Sequence, residues 1–119
     1  MGNFLTRTKE RLASSSTIED AQLRQDAIKA GCEPIAAHQD RCVVTVHGTL
    51  RTVTLCPRSG VAPALEAELY DGSGTVLLVW LGHRRIAGIT PGREITACGR
   101  LGTRGGERVM FNPRYELIA

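Results

Sequence analysis

The sequence predicts a mainly β domain, a small closed barrel, preceded by an α-helical extension. Two observations support this prediction. Residues 65–82 read LEAELYDGSGTVLLVWLG, which is two apolar runs joined by a turn that contains two glycines. The other strand-like segments are also short, and glycines fall inside two of them, where a small barrel has to coil tightly. A chain of 119 residues is long enough to bury one such core without disulfides or metal.

The two apolar runs are predicted to form a β-hairpin. In the first run Leu65, Ala67 and Leu69 alternate with polar residues, which is the period of a half-buried strand. The second run, residues 75–81, is apolar on both sides and suits a central strand covered on both faces. The joint is Asp71-Gly72-Ser73-Gly74, in which the glycines supply positive φ and the aspartate side chain caps the turn.

Three further strands complete the prediction. The alternating segment from residue 42 to 55 changes phase after Gly48 and Leu50, which indicates a bulge or a sharp bend. Residues 94–101 and 107–111 are predicted as strands four and five, joined by a glycine-rich loop. A broken segment, residues 83–92, separates the third strand from the fourth. This pattern predicts the five-stranded Greek-key barrel called the OB-fold, over residues 41–119.

Residues 1–40 are predicted to form the helical extension. A short amphipathic helix is expected within residues 1–16. A second helix is expected from residue 17 to 30, because Ser16 and Glu19 form a capping box and Gly31 is a natural stop. Its apolar stripe, which includes Ile18, Ala27 and Ile28, is thin. We therefore expect the helix to dock on the barrel or to pair with a second copy.

The charge distribution points to a polyanionic partner. Residues 1–40 carry five basic and six acidic side chains, whereas residues 41–119 carry ten basic and six acidic ones. All ten of those basic residues are arginine, which binds phosphate through two parallel hydrogen bonds and stacks on bases. A GC-rich genome also favours arginine over lysine, and this alternative stays open.

Other classes of protein are not favoured by the sequence. No apolar stretch approaches the roughly 20 residues that span a bilayer, and the N-terminus has no secretion signal, so we expect a cytoplasmic protein without a membrane partner. The four cysteines include no Cys-x-x-Cys pair, so no metal or cofactor is predicted. No nucleophile, base and carboxylate set occurs in a recognised motif, and we expect no enzyme.

Several short motifs in the chain occur together in one known family. They are Val44-x-Val46-x-Gly48, the Asp71–Gly74 turn followed by Leu-Val-Trp-Leu, Ile89-x-Pro91-Gly92, Gly99-Arg100-Leu101 and Asn112-Pro113-x-Tyr115. Residues 43–115 therefore resemble the OB-fold nucleic-acid-binding family, in the branch that includes the wedge domain of the RecG helicase. Nearly the whole chain resembles short stand-alone actinobacterial proteins described as OB-fold nucleic-acid-binding-domain proteins.

The resemblance implies a nucleic-acid partner, which would be single-stranded or junction DNA, or RNA, bound with weak sequence selectivity. In OB-folds the ligand lies on strands two and three, between the loops that join strands one to two and four to five. The candidate phosphate-binding residues near this face are Arg51, Arg58, Arg84, Arg85, Arg104 and Arg108.

Trp80 is the candidate for base stacking, with Tyr70 as a second aromatic on these strands. Two phases are open for strand three. If Trp80 points outward it is a stacking platform. If it points inward it belongs to the core, and Leu77, Val79 and Leu81 form an outer apolar stripe that needs covering. Glu66 and Glu68 point outward by the same alternation, and they would repel a phosphate chain.

These glutamates and the thin helix support a second hypothesis, of a protein-interaction or self-assembling OB module that does not touch nucleic acid. A homo-oligomer would then form through the N-terminal helix or through the apolar face of strand three.

Overall fold

The structure is a computed structural model that describes residues 17–38, 41–57 and 59–118. The helix expected within residues 1–16 lies outside the described residues. Residues 17–29 form the helix α1, and residues Ile35–Ala37 form one turn of 3-10 helix. Six strands follow, which are β1 Val43–Cys56, β2 Ala64–Tyr70, β3 Thr75–Leu81, β4 Glu94–Arg104, β5 Glu107–Phe111 and β6 Arg114–Leu117.

Five of the strands close into a ring. The order is β1-β2-β3-β5-β4, and β4 pairs back with β1. The β3–β5 pairing is parallel, and the other pairings are antiparallel. The sixth strand, which the sequence did not predict, pairs with β4 beside β5. The predicted class is confirmed, because the chain is a mainly β, OB-like fold with an N-terminal helix.

The ring closes around one apolar core. Inward positions alternate along the five strands of the ring, and Leu50, Leu69, Leu78, Ile95 and Met110 are among the fully buried side chains. The register of β1 against β2 shifts between Leu50 and Thr52, where the sequence predicted a bulge or bend. Gly48 lies against the backbone of Tyr70, where a Cβ atom would collide with the carbonyl oxygen, so the strand bends only with glycine there.

The α1 helix docks on the turn between β2 and β3 through polar groups. Arg24 Nη1 donates to Asp71 Oδ2 at 2.9 Å, and the Tyr70 hydroxyl donates to Asp20 Oδ1 at 2.8 Å. The apolar stripe predicted for α1 is wrong, because two of its residues do not face the ring. Ala27 is buried, but Ile18 and Ile28 are 69% and 65% exposed.

Two features of other protein classes are absent from the described part of the chain. No group of three or more histidine, cysteine, aspartate or glutamate side chains is placed to hold a metal ion. None of the described helices has the length and apolar character needed to cross a membrane.

Candidate nucleic-acid interface

The outer side of β2, β3 and β5, together with the surface of β1 and α1 that adjoins it at Tyr70, carries three neighbouring grooves, and we call it the front face. It is built by alternation, since every second residue of these strands points away from the core. Its outward residues are Ala64, Glu66, Glu68 and Tyr70 of β2, Thr75, Leu77, Val79 and Leu81 of β3, and Glu107, Val109 and Phe111 of β5. Each groove includes one arginine side chain, and we name the grooves by that residue.

The Arg104 groove has a volume of about 400 Å³ and an apolar floor. Arg104 Nη2 lies 3.3 Å from Glu66 Oε1, so the side chain at the end of β4 reaches across to β2. Its guanidinium carbon also lies 6.0 Å from the centre of the Phe111 ring, which is 47% exposed. The lining residues are Ala64, Glu66, Val79, Leu81, Arg104 and Phe111.

The Arg108 groove, of about 250 Å³, lies on the other side of this ion pair. Arg108 Nη2 donates to the Ala36 carbonyl at 3.4 Å, which leaves its other donors available. The β4–β5 turn forms one wall, because Gly105 and Gly106 have positive φ and allow a tight two-residue connection. The lining residues are Glu68, Thr75, Leu77, Gly106, Glu107 and Arg108.

The Arg51 groove lies between α1 and the ring and has a volume of about 340 Å³. The Arg51 guanidinium carbon is 3.6 Å from the centre of the Tyr70 ring, which is a close cation–π stack. The hydrogen bond to Asp20, with burial second, raises the pKa of Tyr70 above its usual value. The lining residues are Glu19, Gln22, Leu23, Thr49, Arg51 and Tyr70.

The charge of the front face is mixed. Three arginines line the grooves together with four glutamates, which are Glu19, Glu66, Glu68 and Glu107. Among the described residues, only Arg104 of the three arginines forms an ion pair. The arrangement can bind single phosphates beside an exposed ring, but it does not form a uniformly positive surface.

A thiol stands at the rim of the Arg104 groove. Burial, followed by a hydrogen bond to Glu66, raises the pKa of Cys56. The thiol is therefore protonated and weakly reactive at neutral pH.

The structure places three of the predicted arginines on the front face and two of them away from it. Arg51, Arg104 and Arg108 each line one groove of the front face. Arg84 and Arg85 are exposed in the connection between β3 and β4 and line none of the three grooves. Arg58 lies outside the described residues.

Trp80 is part of the core, so the stacking alternative for this residue is wrong. Its side chain is 4% exposed, its Nε1–H donates to the Pro113 carbonyl at 3.2 Å, and its ring meets Tyr115 edge to face at 5.5 Å. Leu77, Val79 and Leu81 therefore point outward, as that phase requires. Val79 is nevertheless buried, because Ala64 and Val109 on the neighbouring strands pack against it, so it needs no partner chain.

Phe111 is the front-face aromatic that the sequence did not identify. Phe111 and Val109 lie on the same side of the strand formed by residues 107–111, so the alternation alone could have predicted that Phe111 points outward. Its place beside Val79 depends on the parallel β3–β5 pairing, which no local pattern reveals.

Comparisons with known proteins support the fold. No family model matches the sequence, and no curated protein matches it. Among solved structures, RecG bound to a three-way DNA junction is similar to 73% of this chain, with a TM-score of 0.60 and 20% identity. The p204 HINb domain is similar to 73% of the chain, with a TM-score of 0.57 and 14% identity. The match spans 12% of the RecG chain and 47% of the HINb chain, so the likeness is one of fold.

Proposed function

We propose that this chain is a nucleic-acid-binding module, without catalytic activity, that takes single-stranded or junction DNA, or RNA, on its front face. The observation that carries the proposal is the succession of three grooves on one side of an OB-like ring, each containing one arginine. In this fold that side is the usual place for an oligonucleotide. The likeness to a RecG structure with a bound DNA junction supports the same choice of partner.

The groove chemistry suggests how a strand is held. Arg108 and Arg51 offer donors to phosphates, while Phe111 and the Arg51–Tyr70 stack offer flat surfaces to bases. Stacking and phosphate contacts are tolerant of sequence, because every base has a π face and every nucleotide a phosphate. Weak sequence selectivity follows.

The test is a fluorescence-anisotropy titration of a labelled single strand at several salt concentrations, with Arg104→Gln, Arg108→Gln and the double variant. Each lost phosphate contact is expected to reduce the slope of log K against log salt by about 0.7, and the double variant by about 1.4. Lys29→Gln is the matched control, since it removes one exposed charge from α1 outside the grooves. Slopes equal to that of the wild type in both single variants and the double would rule out the front face.

One observation favours a second candidate function, self-assembly. Ile18 and Ile28 of α1 are largely exposed, and an apolar contact through α1 would cover them. Light-scattering mass measurements over a range of protein concentrations separate the two functions. A monomer at every concentration excludes self-assembly, whereas a concentration-dependent dimer that Ile18→Ser and Ile28→Ser abolish supports it.

A further inference from the structure

A second cluster of arginines lies on the side of the ring away from the front face. In a closed ring ordered β1-β2-β3-β5-β4, β4 lies opposite β2 and β3. The outward residues of β4 are Glu94, Thr96, Cys98 and Arg100, and they are flanked by outward residues of β1 and β6. We call this surface the back face. It carries Arg100, Arg114 of β6 and, at its edge, Arg41.

The backbone around Arg41 holds two of these arginines together. Arg41 has a φ of 70°, a left-handed conformation that is uncommon for a residue other than glycine. Its N–H donates to the Leu101 carbonyl at 2.7 Å, and its own carbonyl accepts a hydrogen bond from Arg100 Nη1 at 2.7 Å. This hydrogen bond fixes the Arg100 guanidinium through one of its donors. The residue itself is exposed.

The strand register places the third arginine, Arg114, next to Arg100. Arg114 pairs with Cys98, and Arg100 is two residues along the same side of β4. Such diagonal neighbours on one face are about 7–8 Å apart, within the reach of two arginine side chains around one phosphate. Val43, paired with Arg100, is 63% exposed and adds an apolar contact beside the charges.

The charge of the back face differs from that of the front face. Arg41, Arg100 and Arg114 form no ion pair within the described residues. Two glutamates share this surface. Glu94 is hydrogen-bonded to His47 Nε2 at 2.6 Å, and Glu116 lies opposite Thr96, two residues from Arg114 on the same side of β6. Three exposed arginines without an ion pair therefore share the back face with two glutamates, whereas the three arginines of the front-face grooves share that face with four glutamates.

We propose that the back face is a second phosphate-backbone contact, so that one molecule binds two strands or two arms of a branched nucleic acid on opposite sides of the ring. The inference rests on the proposed function of the front face, but it uses different residues. Within the described residues, no aromatic ring stacks on these three arginines, so the contact is to the backbone and is independent of sequence.

The experiment compares a short single strand with a three-way junction, using Arg114→Gln, Arg100→Gln and the double variant. Arg114→Gln tests charge alone, whereas Arg100→Gln also removes the hydrogen bond to Arg41. With the junction, we expect the double variant to reduce the slope of log K against log salt by about 1.8, and each single variant by about 0.9. With the single strand, which occupies the front face, the slopes stay at the wild-type value, and Lys29→Gln changes neither.

The outcomes separate this inference from the proposed function. A junction slope unchanged by Arg100→Gln and Arg114→Gln, but reduced by Arg104→Gln and Arg108→Gln, overturns the back face alone. The reverse pattern supports the back face and overturns the front face. Amide chemical shifts of the wild-type protein give a second readout, since junction-induced shifts confined to β2, β3 and β5 would contradict the inference. A wild-type protein that binds neither substrate at low salt overturns both proposals.

Discussion

Asp71 connects three parts of the molecule through one buried carboxylate. Its Oδ1 accepts hydrogen bonds from the Ser73 N–H at 2.8 Å, the Ser73 hydroxyl at 2.7 Å and the Gly74 N–H at 3.0 Å, which forms the hairpin turn. Its Oδ2 accepts from the Ile35 N–H at 2.8 Å and from Arg24 at 2.9 Å, which joins the 3-10 turn and α1 to the ring. The shape of the turn and the position of the helix therefore depend on the same side chain.

Asp71→Ala is expected to lower the free energy of unfolding by about 3 kcal/mol, because it leaves the buried Ile35 N–H and the Arg24 guanidinium without their acceptor. Denaturant titration followed by circular dichroism measures the change. Asp26→Ala is the control. Within the described residues its side chain accepts one exposed hydrogen bond, from Gln22, so the effect is expected to stay within about 0.5 kcal/mol. Equal effects of the two substitutions would contradict the role given to Asp71.

The hydrogen bond between Tyr70 and Asp20 of α1 is expected to be lost at alkaline pH. The hydrogen bond to Asp20 raises the pKa of Tyr70 in the folded state above the unfolded value of about 10, so the folded protein keeps this proton to higher pH. The stabilisation that the Tyr70–Asp20 hydrogen bond contributes is complete below a pH of about 10. It is lost as the pH rises through the pKa of Tyr70 in the folded state.

Tyr70→Phe is accordingly expected to show a shallower fall in the free energy of unfolding above pH of about 10 than the wild type does. The measurement is a series of denaturant titrations from neutral to alkaline pH. Tyr115→Phe, which leaves the Tyr70–Asp20 hydrogen bond in place, should retain the wild-type fall. If the free energy of unfolding of Tyr70→Phe falls as steeply as that of the wild type, the Asp20 contact does not control the ionisation of Tyr70.

At the scale of elements, α1 and the hairpin turn are in direct backbone contact. Gly72 has a φ of 90°, and a Cβ there would collide with the Asp20 carbonyl oxygen of α1. Gly92 has nearly the same φ, 87°, but no atom lies within 4 Å of the position its Cβ would take. A substitution of Gly92 therefore tests backbone strain alone, whereas a substitution of Gly72 tests backbone strain and helix docking together.

Gly92→Ala is expected to lower the free energy of unfolding by about 1 kcal/mol, the cost of a left-handed conformation with a side chain. Gly72→Ala should cost more, because α1 also has to move away from the turn. Hydrogen exchange should show faster exchange of α1 amides in Gly72→Ala only. Identical stability and exchange in the two variants would contradict this docking arrangement.

The β4–β5 hairpin and β2 are joined across the front face by the Arg104–Glu66 pair, which lies between the Arg104 and Arg108 grooves. A phosphate has to compete with Glu66 for Arg104.

Glu66→Gln removes this competition and one repulsive charge, so the affinity for a single strand is expected to rise about two- to fivefold, the range of an exposed ion pair. Glu33→Gln, a similar change at an exposed residue outside the grooves, should leave affinity unchanged. Anisotropy titration measures both, and a weaker Glu66→Gln complex would contradict the competition.

At the scale of the whole molecule, the sequence predicted what local periodicity encodes. The hairpin of residues 65–81, the irregularity near Leu50 and five strands of the ring are all visible as alternation and turn residues. The phase of Trp80 was left open, because residues 75–81 are apolar on both sides and alternation cannot orient them. Three contacts were missed: the parallel β3–β5 pairing that brings Phe111 to the front face, the pairing of β6 with β4, and the polar docking of α1 through Arg24 and Asp20. All three join residues distant in sequence, and no residue pattern marks their partners.

The central claim is that the front face holds a phosphate backbone, and the salt dependence of wild-type binding to a labelled single strand tests it most directly. An extrinsic label is needed, since Trp80 is buried and does not report on the surface. Three arginine contacts predict that log K falls against log salt with a slope of about −2. No binding at low salt, or binding whose affinity does not change with salt, would contradict the account.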